Sequence, residues 1–151
     1  MIQYLFYVIK RIWRNSVEKE IISTKDAPQA IGPYSQAVRF NNLIFVSGQI
    51  PIEPETGKIL KGNIKEQTRL ILKNLSTILA AGGSSLDNVL RTTIFLTDLE
   101  NYPVVNETYA QYFNDFPPAR STVQVAKLPM DAQIEIDAIA CINTEENLLD
   151  A

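Results

Sequence analysis

The stretch FPPARSTVQVAKLPMDAQIEIDAIA, residues 116–140, alternates in polarity twice. Pro117 and Pro118 bar a helix from running into it, and the alternation that follows predicts a strand over Arg120–Ala126. A loop containing Pro129 leads to a second strand over Ile134–Ile142. Strand side chains point to opposite faces in turn. In the first strand Ser121, Val123 and Val125 share one face, and Arg120, Thr122 and Gln124 share the other. In the second, Ile134, Ile136, Ala138 and Ala140 oppose Glu135, Asp137, Ile139 and Cys141. The small and apolar sets are expected to meet helices. That sends Arg120, Thr122, Gln124 and Glu135 to a helix-free face, whose mixed character suits a subunit interface containing a cleft.

Working outward, NIKEQTRLILKNLSTILAAGG (63–83) is the clearest helix. Asn63 and Glu66 have the spacing of a capping box, Ile64, Ile71, Leu75, Ile78 and Leu79 form an apolar stripe, and Gly82-Gly83 supplies a left-handed end. A β-branched strand follows over Val89–Leu96, then a second helix in ENYPVVNETYAQYF (100–113), with Pro103 early, where its missing N–H is harmless. Upstream, Gln36–Phe40 and Leu43–Ser47 read as a hairpin turning at Asn41-Asn42, and Ile21–Ser23 as a short edge strand. The order predicts a single α+β domain over residues 19–142, with one mixed sheet and two helices on one face. Residues 1–18 differ in kind: Lys10, Arg11 and Arg14 cluster on one side of a short amphipathic helix. This extension reads as a targeting segment, a membrane-surface anchor or an accessory helix, and residues 143–151 as a polar tail. The apolar run at the N-terminus is too short to span a bilayer.

Composition prunes the chemistry. The chain has no histidine, which excludes Ser-His-Asp triads and His-ligated metals, and its one cysteine excludes an internal disulfide or a multi-cysteine metal site. Of the 14 basic residues, three lie in residues 1–17, leaving 11 against 17 acids, a balance of −6. A body of that sign is a poor platform for nucleic acid, so no nucleic-acid partner is expected. Acid–base work falls to carboxylates, Lys, Tyr, Cys141 or water. Arg120 offers a fixed fork of donors for a carboxylate or phosphate, and Glu135 can hold or activate a water. On residues alone, a structural ion pair between them is the commoner outcome. AIGPYSQA (30–37) holds Tyr34 on a stiff loop, readable as an ordinary turn or as part of a site. Gly48 ends a strand where backbone N–H groups can receive an anion. There is no phosphate-binding GxxxxGK[ST] or dinucleotide-binding GxGxxG motif.

Five segments together resemble the RidA/YjgF family of reactive imine/enamine deaminases, formerly the L-PSP endoribonuclease family. They are APQAIGPYSQAV (27–38), IFVSGQIPIEPETG (44–57), VLRTTIFLTDLENYPVVNETYAQYF (89–113), FPPARSTVQVAKLP (116–129) and QIEIDAIA (133–140). The resemblance implies a chorismate-mutase-like fold and a homotrimer whose sheets line a central barrel, with active sites between subunits. It implies hydrolysis of 2-imino acids and enamines, such as 2-aminoacrylate and 2-iminobutanoate, to 2-oxo acids and ammonia, with no cofactor and no metal. By position, Arg120 resembles the arginine that grips the substrate carboxylate, Glu135 the carboxylate that positions water, and Tyr34 the tyrosine that packs over the substrate from a neighbouring subunit. Ser47, Gly48, Asn106, Tyr109 and Thr122 fall where pocket-lining residues occur. Thr122 stands where many members carry cysteine, which removes a reactive thiol. The alternatives are an endoribonuclease or translation inhibitor, and a non-catalytic ligand-binding or chaperone-like trimer. A cytoplasmic address is expected, or a mitochondrial or plastid one if residues 1–18 are a transit peptide.

Overall fold

The computed structural model describes residues 19–142 apart from Asn114, so the readings of residues 1–18 and 143–151 lie outside the described residues. Six strands form one mixed sheet: β1 (Lys19–Ile22), β2 (Ala37–Phe40), β3 (Leu43–Gln49), β4 (Val89–Leu96), β5 (Ala119–Gln124) and β6 (Ile134–Cys141). Their spatial order is β1-β2-β3-β6-β4-β5, antiparallel throughout except for the parallel β4–β5 pair. Helices α1 (Ile64–Ala81) and α2 (Tyr102–Ala110) make the crossovers. Parallel neighbours cannot be joined by a tight turn, so α2 carries the chain from β4 to β5. The last strand slots between β3 and β4, in the middle of the sheet.

Local chemistry explains the boundaries. The β2–β3 turn places Asn41 at φ 55, a conformation Asn tolerates. The Asn63 side chain accepts from the Glu66 N–H while the Glu66 carboxylate accepts from the Asn63 N–H, a complete capping box at the start of α1. At its other end Gly83 adopts φ +79 and donates to the Ala80 carbonyl, while Ser84 donates to that of Leu79. This pairing closes the helix and favours glycine at the left-handed position.

One face of the sheet is covered by both helices. Ile44 and Val46 of β3, Thr92, Ile94 and Leu96 of β4, and Ile134, Ile136, Ala138 and Ala140 of β6 are buried there. They meet Ile71, Leu72, Leu75, Ile78 and Leu79 of α1 and Val105 and Tyr109 of α2. Truncating one of these large aliphatic side chains to alanine typically costs about 2–5 kcal/mol. The other face carries no helix. Ile21, Phe40, Phe45 and Val123 stand on it and are exposed, so this face presents large apolar side chains to the surroundings. Among the described residues no helix is long and apolar enough to cross a membrane.

The expected orientation of the strand after Pro118 is overturned. Arg120 is paired with Thr92, Thr122 with Ile94 and Gln124 with Leu96, and paired residues share a face. Arg120, Thr122 and Gln124 therefore lie on the helix side, and Ser121 and Val123 on the open side. β5 is an edge strand partly uncovered by α2, so polar residues are tolerated on its helix-side row, and the usual rule that apolar residues face the helices fails there. The expectation holds for β6, which is central and buried.

Candidate active site

Arg120 emerges from β5 two residues after Pro118 and lies against α2. Its Nη2 donates to the Tyr102 hydroxyl at 3.0 Å and to Asn106 Oδ1 at 2.7 Å. The guanidinium carbon stands 4.8 Å from the centre of the Tyr109 ring and 5.7 Å from that of Tyr102, within cation–π range of both. Tyr109 is tilted against Phe113, with ring centres 4.4 Å apart. None of the ion pairs between described residues includes Arg120. A cavity of about 340 Å³ opens beside the guanidinium, lined by Asn106, Tyr109, Phe113, Pro117 and Pro118. A cation held by neutral acceptors and aromatic faces keeps its full charge, and the cavity beside it is a place for an anion.

Under the arginine, the Tyr109 hydroxyl and Thr92 Oγ1 are 2.8 Å apart and fully enclosed. Burial raises the Tyr109 pKa above the usual phenol value, against the opposing pull of the Thr92 hydrogen bond and the Arg120 charge. Thr122 lies on the same strand face two residues further along.

A second cluster gathers around the end of β3. Glu135 and Asp137 lie on the open face of β6. Burial, and after it the charge of Asp137, raise the Glu135 pKa above the usual carboxylate value. Asp137 itself accepts from the Thr93 N–H at 3.0 Å. Among the described residues no hydrogen bond or ion pair occupies the Glu135 carboxylate. It lies against Gly48 so closely that a Cβ at that position would overlap the carboxylate. The regular β3–β6 register breaks between Val46 and Gln49, at Ser47 and Gly48. Ser47 Oγ donates to the Ser35 carbonyl at 2.7 Å and its N–H to that of Gln36, which ties the Tyr34 loop to this cluster. Tyr34 is 53% exposed.

Arg120, Asn106 and Tyr109 thus line one cavity, Thr122 shares the strand face of Arg120 without lining it, and Glu135, Gly48, Ser47 and the Tyr34 loop form another group. The two groups do not meet in one chain. Arg120 and Glu135 are on opposite faces of the sheet, with β4 between their strands, and the register offsets them by three residues. Their expected common face, and an ion pair between them, are both excluded. Sequence reasoning also passed over Tyr102, Thr92 and Asp137. Thr92 left a signal, a polar residue at a core-facing position of an otherwise apolar strand row.

A family model described as Endoribonuclease L-PSP matches residues 24–142. The chain belongs to the RidA/YjgF family. Among its relatives in that family, the chloroplastic Reactive Intermediate Deaminase A of Arabidopsis thaliana is 51% identical over 128 residues, 85% of this chain and 68% of the relative. The 2-iminobutanoate/2-iminopropanoate deaminase of Mus musculus is 44% identical over 126 residues, 83% of this chain and 93% of the relative. The crystal structure of E. coli TdcF with bound serine superposes with a TM-score of 0.78 at 44% identity, covering 82% of this chain and 99% of that one. The mixed sheet with two helices on one face is thus the RidA/YjgF fold.

Proposed function

We propose that this chain hydrolyses small reactive 2-imino acids, the tautomers of enamines such as 2-aminoacrylate, to 2-oxo acids and ammonia. The reaction takes place in a crevice between copies of the chain in a homotrimer. The observation that carries this reading is the uncommitted cation: Arg120 stands beside a cavity on two aromatic rings, and none of the ion pairs between described residues includes it. The serine on TdcF is a small amino acid with the carboxylate such a cation would take, and the names of the relatives point to imine hydrolysis. The assembly is supported by the exposed apolar face and by the separation of the two clusters, since a second copy covers the first and unites the second.

In this reading Arg120, Asn106, Tyr109 and Thr122 come from one copy, and Glu135, Gly48, Ser47 and Tyr34 from its neighbour. Arg120 grips the substrate carboxylate, a charge-assisted contact worth about 2–3 kcal/mol. Both two-pronged edges of a guanidinium include Nη2, so the carboxylate takes the place of Tyr102 or Asn106 there. Tyr34 packs over the substrate. Glu135 holds a water at the imine carbon, and its raised pKa makes its ionised form a stronger base than an exposed glutamate. The water oxygen bonds to that carbon, the C=N π electrons pass to nitrogen, and Glu135 takes the water's proton. Returned to nitrogen, that proton makes the amine a leaving group; Glu135 then takes the remaining hydroxyl proton as the carbonyl forms and ammonia leaves. A protonated imine is electrophilic already, so positioning and charge suffice without a histidine.

The test generates the imine in situ with an amino-acid oxidase and follows its disappearance. Arg120→Ala should abolish the acceleration while the oligomer persists; an undiminished rate overturns the reading. The description of the family model favours a second reading, RNA cleavage. Arg120-dependent cleavage of RNA by the purified chain, without imine turnover, would put that reading in its place.

A further inference from the structure

Thr92 is fully buried in the middle of β4, in a row otherwise occupied by Ile94 and Leu96. Valine has the same shape as threonine and needs no polar partner in a core, so a hydroxyl in that row calls for a reason. Its side chain meets the Tyr109 hydroxyl at 2.8 Å, and either oxygen can donate. The far side of that tyrosine is the floor on which the Arg120 guanidinium rests, 4.8 Å from the ring centre. Phe113 packs against the same ring, with centres 4.4 Å apart and planes 31° apart. Tyr109 is 4% exposed, so its hydroxyl has no ready access to water if the bond to Thr92 is lost. Without that bond nothing fixes the hydroxyl end of the ring, which is then free to shift toward the cavity that Tyr109 itself lines, and that motion tilts the arginine.

We infer that Thr92 is a positioning residue for the carboxylate clamp, acting through Tyr109 to hold the Arg120 fork at one height and angle beside the cavity. The inference rests on the reading of Arg120 as a carboxylate-binding residue. Thr92 touches no substrate. Its hydroxyl fixes the ring, the ring fixes the plane of the cation, and the cation's plane sets how well two parallel N–H groups meet a carboxylate.

The experiment uses the full chain and 2-oxobutanoate as a non-reacting carboxylate probe, with its Kd measured by calorimetry beside kcat, KM and Tm. Thr92→Val keeps the shape and removes the hydroxyl; it should weaken probe binding and raise KM about 5–10-fold, with kcat within about twofold. Thr92→Ser restores the hydroxyl and should bind within about twofold of the parent. Tyr109→Phe removes the same bond from its other end and should match Thr92→Val, and the double variant should be no weaker than either alone. This second route keeps the test decisive should Thr92→Val fold poorly. A lower Tm with unchanged Kd in both Thr92→Val and Tyr109→Phe overturns the inference, leaving a purely structural hydrogen bond. Retained probe binding in Arg120→Ala overturns instead the reading on which the inference rests.

Discussion

Arg120 stands on an aromatic floor on the helix side of the sheet, whereas Glu135 stands on the open side, pressed against a glycine. The arginine is held at Nη2 by two neutral acceptors and over two rings, so it is oriented without being neutralised. The glutamate is held by proximity: burial and the neighbouring Asp137 charge disfavour its ionised form. One cluster is a charge whose orientation is set by neutral partners. The other is a carboxylate whose proton affinity is raised. The difference teaches that neither cluster is a complete site within one chain. The two stand on opposite faces of the sheet, so under the proposed function they form one site only across an interface.

The strongest way to break this comparison is to inactivate each cluster separately and mix them. Arg120→Ala and Glu135→Gln should each lower kcat/KM by about 100-fold or more. Trimers reassembled from equal amounts of the two variants should regain about a quarter of the parent activity, the share of interfaces that pair an intact Arg120 with an intact Glu135. No recovery in mixed trimers confirmed by mass spectrometry excludes a shared site. Next in size, Gly48→Ala should lower turnover about tenfold by displacing the Glu135 carboxylate, while binding of 2-oxobutanoate at the Arg120 cluster stays within about twofold. Equal losses in both quantities would dissolve the distinction between the clusters.

The pH dependence sharpens it further. A raised Glu135 pKa means that the protonated carboxyl is favoured in the folded chain. Its contribution to stability is therefore fully present below the ordinary glutamate pKa of about 4.3 and lost as pH rises through the higher folded value. Glu135→Gln should accordingly gain in Tm relative to the parent as pH is raised across that window, and a constant difference would contradict the shift. Imine turnover should rise over the same window as the base ionises, with probe affinity at Arg120 nearly flat. The smallest effects belong to Tyr102→Phe, expected to tighten probe binding a few-fold by freeing Nη2, and to Asn63→Ala. The latter removes the α1 cap, away from both clusters, and should cost about 1 kcal/mol in urea unfolding with activity unchanged.

Much of the fold was legible because its signals are local. The Asn63–Glu66 capping box, the α1 stripe, the Asn41 turn and the β6 alternation each depend on residues within a few positions of one another, and each stands where its pattern placed it. Strand boundaries moved by up to two residues, since pairing rather than propensity ends a strand. The candidate site was half legible. Its residue types and segments could be named, but Thr92 was passed over, although it is a polar residue in a core row. The face on which Arg120 stands could not be read, because alternation tells which residues share a side but not which side is covered.

What the sequence determined by itself was the set of elements, the absence of histidine chemistry and the presence of an arginine and a glutamate fit to handle a carboxylate and a water. What only the tertiary structure decided was where those two side chains stand. Periodicity is a property of one strand, but a face is defined by pairing and by what packs upon it. The parallel register of β5 on β4 sets Arg120 beside Thr92, beneath α2, and Glu135 on the far side of the sheet.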